Sequence, residues 1–260
     1  MLGVSPSTPP TAATARTGPT TPDLPAAPDR APVRRGAQLL VGLVLFSLSI
    51  AMLVHAGLGS MPWDVLSQGI SRRTGYSFGT VTLVLSALVL AGWIPLRQRP
   101  GIGTIANVLV IGVLVDPALA LLDRLPDPLP LVARIALVVA GIALNAVATG
   151  LYIGARLGPG PRDGLMTGLV ARTGRSVRLV RTSIEVVVVA AGWLLGGTVG
   201  LGTLAFAVAI GPLVHLLLPL LSVRTSPVAP AAADDRQGAV HDGQGAVHDG
   251  QGAVEVAERR

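Results

Sequence analysis

No cysteine occurs among the 260 residues, which excludes disulfides, iron–sulfur clusters and thiolate zinc sites. Lysine is absent as well: all 20 basic residues are arginine, against 14 acidic ones, for a formal charge of +6. Aromatics make up 3% of the chain, too few for a base-stacking platform, and the arginines form no basic face, so nucleic acid is not an expected partner. Charge of either sign is scarce, 13% against roughly 25% in an ordinary soluble domain. Half the residues are hydrophobic and the mean hydropathy is +0.64 even when averaged over two polar tails. A soluble globular domain is thereby ruled out, and an all-α membrane protein with the lipid bilayer as its partner is left. Neither H-E-x-x-H, G-x-S-x-G nor a paired metal-ligand cluster is present, so no enzyme, metal or cofactor is expected.

Residues 1–33 are mostly Pro, Thr, Ala and Ser and read as a disordered cytoplasmic tail. Residues 224–260 carry QGAVHDG at Gln237 and again at Gln244, a low-complexity tail in which His241 and His248 are solvated repeat residues. Between the tails lie six apolar runs near the length of about 20 residues that crosses a bilayer. They fall at roughly 37–56, 77–95, 102–122, 133–154, 179–198 and 201–221. Trp63, Tyr76, Trp93, Tyr152 and Trp193 stand near their ends, where amphipathic rings anchor at the interface.

The chain also repeats itself. LGSMPWDVL from Leu58 recurs as LGPGPRDGL from Leu157, and the offset of 99 continues through Gly69 and Gly168, Ser77 and Ser176, the G-x-G-T stretches at Gly101 and Gly200, and Ile111 and Ile210. The first repeat occupies 34–130 and the second 131–223, with three spans in each. An odd number of spans makes the second repeat start on the opposite side of the membrane, so the fold expected is six transmembrane helices as two inverted three-helix repeats. Arginine placement agrees when both termini are cytoplasmic. Arg30, Arg34, Arg35, Arg97, Arg99, Arg156, Arg162, Arg172, Arg175, Arg178, Arg181 and Arg224 then lie inside, and Arg72, Arg73, Arg124 and Arg134 outside.

Each repeat contains a Pro-x-Asp segment too short to cross, either amphipathic on the surface or re-entrant. In the first, Trp63, Leu66, Gly69 and Ile70 share one helical side, and Asp64, Ser67, Gln68 and Ser71 the other. Asp64 and Asp163 fit the first helical turn, as caps or as symmetry-related carboxylates lining a cavity. Arg181 and Glu185 stand four apart on one helix, either as an interfacial pair or as a charged cavity wall shared with Arg162 and Asp163. Asp116 and His215 occupy matched places, and ionisable groups inside a membrane point to proton-linked or polar-solute chemistry unless water reaches them at the span ends. Asn107 and Asn145 read as helix-to-helix hydrogen bonds, and Gly192, Gly196 and Gly200 as a G-x-x-x-G packing stripe. The G-x-G at Gly101 imitates a dinucleotide fingerprint but follows no strand.

GPGPRDGLM from Gly158, Arg181-x-x-x-Glu185, GWLLGG from Gly192 with the G-x-G-T at Gly200, and Ile210-Gly211-Pro212 together resemble the YczE/YitT-type family of small bacterial integral membrane proteins. The likeness covers about residues 36–222, and the first repeat departs from it at Ser60-Met61-Pro62, where the second has Gly160 before its proline. The resemblance implies an inner-membrane protein, sometimes called a permease, with no settled substrate. The function expected is a small-solute secondary transporter in the bacterial plasma membrane, with a small solute and the proton as partners. A non-transport scaffold or regulator is the alternative.

Overall fold

Serine, proline and glycine punctuate both halves of the chain at equivalent places. Ser77 and Ser176 each precede a helix and accept a hydrogen bond from the backbone N–H three residues on, Thr80 at 3.2 Å and Leu179 at 3.3 Å. Such a cap is worth about 1 kcal/mol. Pro62 and Pro161 each open a 13-residue helix, where a missing N–H costs nothing, and Gly75 and Gly174 close those helices in the left-handed conformation at φ 75° and 66°.

The computed structural model describes residues 31–126 and 128–221, which form nine helices. In chain order these are α1 (Ala31–Ala56), α2 (Pro62–Thr74), α3 (Phe78–Ala91), α4 (Trp93–Leu96), α5 (Ile102–Leu122), α6 (Leu131–Gly154), α7 (Pro161–Thr173), α8 (Val177–Leu194) and α9 (Leu201–Leu221). The expectations for residues 1–30 and for the QGAVHDG tail lie outside the described residues.

Helix α1 is central. Its Leu39, Leu43, Ile50 and Leu53 are buried against α5 and α6, and α6 packs in turn on α9. The outer faces are apolar: Val186, Val187, Leu204, Val208 and Leu216 are all more than half exposed. A soluble protein does not leave so much Val and Leu in water, whereas hydrocarbon solvates it without cost. Among the described residues, five stretches are long and apolar enough to cross a membrane: Pro32–Ala56, Phe78–Leu96, Ile102–Leu122, Leu131–Gly154 and Leu201–Leu221. The sixth expected span, 179–198, corresponds to α8, which does not join them because Arg178, Arg181 and Glu185 fall within its 18 residues.

Several local expectations change. Helix α8 ends at Leu194, because Gly196 turns left-handed at φ 95° and donates its N–H to the Trp193 carbonyl. Gly196 and Gly200 therefore stand beyond the helix, and no continuous G-x-x-x-G stripe forms there. Trp93 and Tyr152 are not interfacial anchors. Both are buried, and the Trp93 indole N–H donates to the Pro161 carbonyl at 2.9 Å. Helix α2 turns its polar side inward: Asp64, Ser67 and Gln68 are buried, while Trp63, Leu66 and Ile70 are half-buried. Surrounding hydrocarbon reverses the orientation that water would impose on such a helix.

The two G-x-G-T stretches serve neither phosphate nor nucleotide. Gly103, in the first turn of α5, donates its N–H to the Leu157 carbonyl at 2.8 Å, and Gly202, in the first turn of α9, donates to the Leu58 carbonyl at 2.8 Å. Helix starts leave such donors unpaired. Here the turn after α6 satisfies α5, and the turn after α1 satisfies α9. The backbones approach so closely that a Cβ on Gly101 would stand 2.5 Å from the Leu157 oxygen, and one on Gly202 2.6 Å from the Gly59 oxygen. The turns themselves need glycine as well, Gly59 at φ 114° and Gly158 at φ 134°.

A second close fit joins α7 to the Trp93 ring, which a Cβ on Gly164 would overlap. Gly164→Val is therefore expected to lower the melting temperature of the detergent-purified protein, with an overpacking cost of about 1–3 kcal/mol. Adding Trp93→Leu should recover part of that loss. A Gly164→Val protein that melts with the wild type would show the contact to be slack.

Candidate functional site

The starts of α2 and α7 meet at a cavity of about 350 Å³. Trp63 of α2, Thr82 of α3, Tyr152 of α6, Arg162 and Asp163 of α7, Arg181 and Glu185 of α8 and His215 of α9 all line it. Phe46, Ile111, Met166, Phe206 and Ile210 supply apolar wall between the polar groups. This combination of an apolar surface with a few convergent polar groups is typical of small-molecule sites.

Asp64 and Asp163 occupy the same helical position, three residues after the helix cap, yet they differ in surroundings. Asp163 accepts a hydrogen bond from the Gly160 backbone, the return half of a capping box, and reaches the cavity. Burial raises its pKa, against the opposing pull of Arg162 and Arg181. Asp64 is fully buried behind the wall. Its Oδ1 lies 3.5 Å from Arg162 Nη2, and its Oδ2 has no hydrogen-bond partner. Burial outweighs the arginine and lifts the Asp64 carboxyl from 3.8 to about 6.

Arg162 is held by little. Apart from the long contact to Asp64, its guanidinium stacks over the Trp63 ring, 5.2 Å from the centroid, and its side chain is 30% exposed. Arg181, by contrast, makes a direct 2.9 Å pair with Glu185. The structure thus places Arg162, Asp163, Arg181, Glu185 and His215 around one cavity, with Asp64 joined to it through Arg162. Asp116 lies elsewhere: its carboxylate accepts the Gly79 N–H at 2.7 Å and ties α5 to the start of α3. Asn145 bonds Ser49 across α6 and α1 at 2.8 Å, while Asn107 faces the cavity.

Tyr152 and Thr82 are wall groups that were not among the site candidates read from the sequence. Both hydroxyls are buried without a hydrogen-bond partner. Tyr152 read as an interface ring because it stands near a helix end, and Thr82 is one small polar residue in an apolar helix; only the packing points them at the cavity.

The chain matches the family of unknown function DUF6198 over residues 33–219. An uncharacterized protein of Haemophilus influenzae is 40% identical over 187 residues, covering 70% of this chain and 84% of the relative. The uncharacterized membrane protein YczE of Bacillus subtilis is 30% identical over 190 residues, 72% of this chain and 86% of its own, which agrees with the likeness carried by the motifs. The uncharacterized protein YyaS of the same organism is 23% identical over 182 residues, 70% of this chain and 90% of its own. No solved structure matches.

The raised carboxyl of Asp64 has a consequence for stability. Between 3.8 and about 6 the folded chain binds more protons than the unfolded one, so stability falls as pH rises through that window and then levels off. Melting in detergent should decline across the window, and Asp64→Asn should make the decline shallower. Equal slopes in the two proteins would mean that Asp64 is ionised throughout.

Proposed function

The chain belongs to the DUF6198 family of unknown function, and we propose that this helical membrane protein is a small-solute secondary transporter that performs no covalent chemistry. The observation that carries the reading is the cavity itself, whose polar wall comes from helices of both halves of the chain. A scaffold has no use for arginine and carboxylate groups converging on a solute-sized space, and such groups are costly in a membrane interior.

The topology we propose has six crossings, with α8 as the charged one, both termini cytoplasmic, and the two halves inverted about an axis in the membrane plane. Its support is the pairing of equivalent contacts at the offset of 99: Gly103 to Leu157 is answered by Gly202 to Leu58, and the Ser77 cap by the Ser176 cap. Helices α2 and α7 are 13 residues each, about 20 Å, too short to cross a core near 30 Å thick. In this arrangement they enter from opposite faces and bring their first turns toward the cavity, the geometry by which broken helices form solute sites. We place it in the plasma membrane, a reading supported by the arginine distribution and by the likeness to a bacterial membrane protein.

Two measurements test the reading. The chain has no cysteine, so Thr74→Cys and Thr173→Cys give clean single labels. An impermeant maleimide should reach the first in intact cells and the second only after lysis. Labelling of both from one side overturns the inverted arrangement. In proteoliposomes screened with pooled labelled amino acids, organic acids and organic cations, the protein should carry at least one solute. Asp163→Asn or Glu185→Gln should cut that flux about tenfold or more, the scale of one lost charge-assisted contact. Flux that survives both changes means these residues are caps and anchors, and no flux of any solute favours the scaffold.

A further inference from the structure

Charge around the cavity is unevenly satisfied. Arg181 and Glu185 neutralise each other at 2.9 Å, and Asp163 has the Gly160 backbone together with two neighbouring arginines. Arg162 has one contact to a carboxylate, at 3.5 Å, longer than a strong charge-assisted bond. That carboxylate is itself half satisfied, since Asp64 Oδ2 is buried with no partner. The other unpartnered groups on the wall are the Tyr152 and Thr82 hydroxyls, both able to donate and both almost fully buried. The wall also carries the Asp163 and Glu185 carboxylates, but the loosely held cation Arg162 and the unpartnered hydroxyl donors of Tyr152 and Thr82 offer an entering anion partners that are not already engaged.

We infer that the cavity binds a small organic carboxylate with an apolar body, gripped by Arg162, and that a proton on Asp64 binds together with it. The inference rests on the transporter reading for its setting and adds the class of solute and the coupling ion. When Asp64 is ionised it shares Arg162 with any incoming anion. When a proton occupies its free oxygen, Arg162 loses its buried counter-charge, and the carboxylate of a solute restores it. Each ligand thus favours the other, and two opposite charges move together with no net charge left in a low-dielectric space. The apolar body packs between Phe46, Met166 and Phe206, and Trp63 holds the guanidinium plane from its other side. The remaining charged or titratable groups that line the cavity are Asp163, Arg181, Glu185, Tyr152 and His215, with Arg72, Arg73, Asp116, Arg134, Arg172 and Arg178 on the same helices away from it; among the described residues, Arg162 is the one that pairs with Asp64.

The test uses the full chain in detergent and three probes of one shape, benzoate, benzamide and benzylammonium, with binding followed by calorimetry. Wild type should bind benzoate roughly tenfold more tightly at about pH 5.5 than at about pH 7.5, and should bind the amide and the ammonium weakly at both. Asp64→Asn, which holds the neutral form, should bind benzoate equally at both pH values, and Arg162→Gln should lose it. If Asp64→Asn does not fold, the wild-type profile with the three probes decides alone. A flat pH profile, equal binding of benzamide, or retained binding in Arg162→Gln overturns the inference, as does the absence of benzoate binding at the lower pH. Failure here and failure of the transporter reading look different. Flux of a cation or neutral solute without benzoate binding keeps the transporter and removes the anion site. Proton-linked benzoate binding without flux of any solute keeps the site and removes the transporter.

Discussion

Gly103 and Gly202 stand where two helices begin, and a helix that begins inside a membrane protein has backbone donors that water cannot reach. Each such group costs several kcal/mol if it stays unpaired. The Leu157 and Leu58 carbonyls answer them, each from a turn that belongs to the other half of the chain. Much of the structure follows from that exchange. The turns must come within bonding distance of a helix start, so Gly59, Gly101, Gly158 and Gly202 leave no room for a Cβ. Those turns lead into α2 and α7, so the exchange also sets where the two short helices begin.

The cavity is a consequence of those beginnings. Pro62 and Pro161 start the helices immediately after the crossed turns, and two positions later stand Asp64 and Asp163. Equivalent sequence positions have become unequal sites. Gly160 has no side chain beside Asp163 and gives that residue a backbone donor, whereas the matching place in the first half holds Met61, which is buried, and Asp64 is fully buried as well. Arg162 has Trp63 as its counterpart in the first half, and the two stack on each other. One charge and one ring at matched positions make a single contact, which two arginines or two tryptophans there would not make in the same way.

A polar interior of this kind is affordable only where the groups satisfy one another. The Arg181–Glu185 pair, the Asp116 bond to Gly79 and the Asn145 bond to Ser49 each neutralise or satisfy a group that hydrocarbon would penalise. Among the groups left without a partner, the Tyr152 and Thr82 hydroxyls line the cavity and Asp64 Oδ2 lies behind it, next to the loosely held Arg162; Arg35 Nε and the Ser60 and Ser67 hydroxyls are unpartnered away from its wall. Those polar groups are closed circuits, whereas the Tyr152 and Thr82 hydroxyls stand open on the cavity wall.

Composition and periodicity were sufficient for the helical membrane class, for the placement of the long helices to within a few residues, and for the self-similarity at 99. Those properties depend on local hydrophobicity and on residue identity, both of which are written along the chain. Asp163, Arg162, Arg181, Glu185 and His215 could also be picked out, because charge inside an apolar sequence is conspicuous. The facing of each group was decided in three dimensions. Asp116 was as conspicuous as Asp163, yet a helix start 37 residues away claims its carboxylate. Trp93 looked like an interface anchor and instead fills the space left by Gly164, a pairing across 71 residues that no local pattern encodes. The polar side of α2 was legible, but its direction was not, since a helical wheel has no inside until neighbouring helices and lipid supply one. Tyr152 and Thr82 were ordinary residues in ordinary helices, and they became wall groups because packing turned two hydroxyls toward a space and provided them no partner.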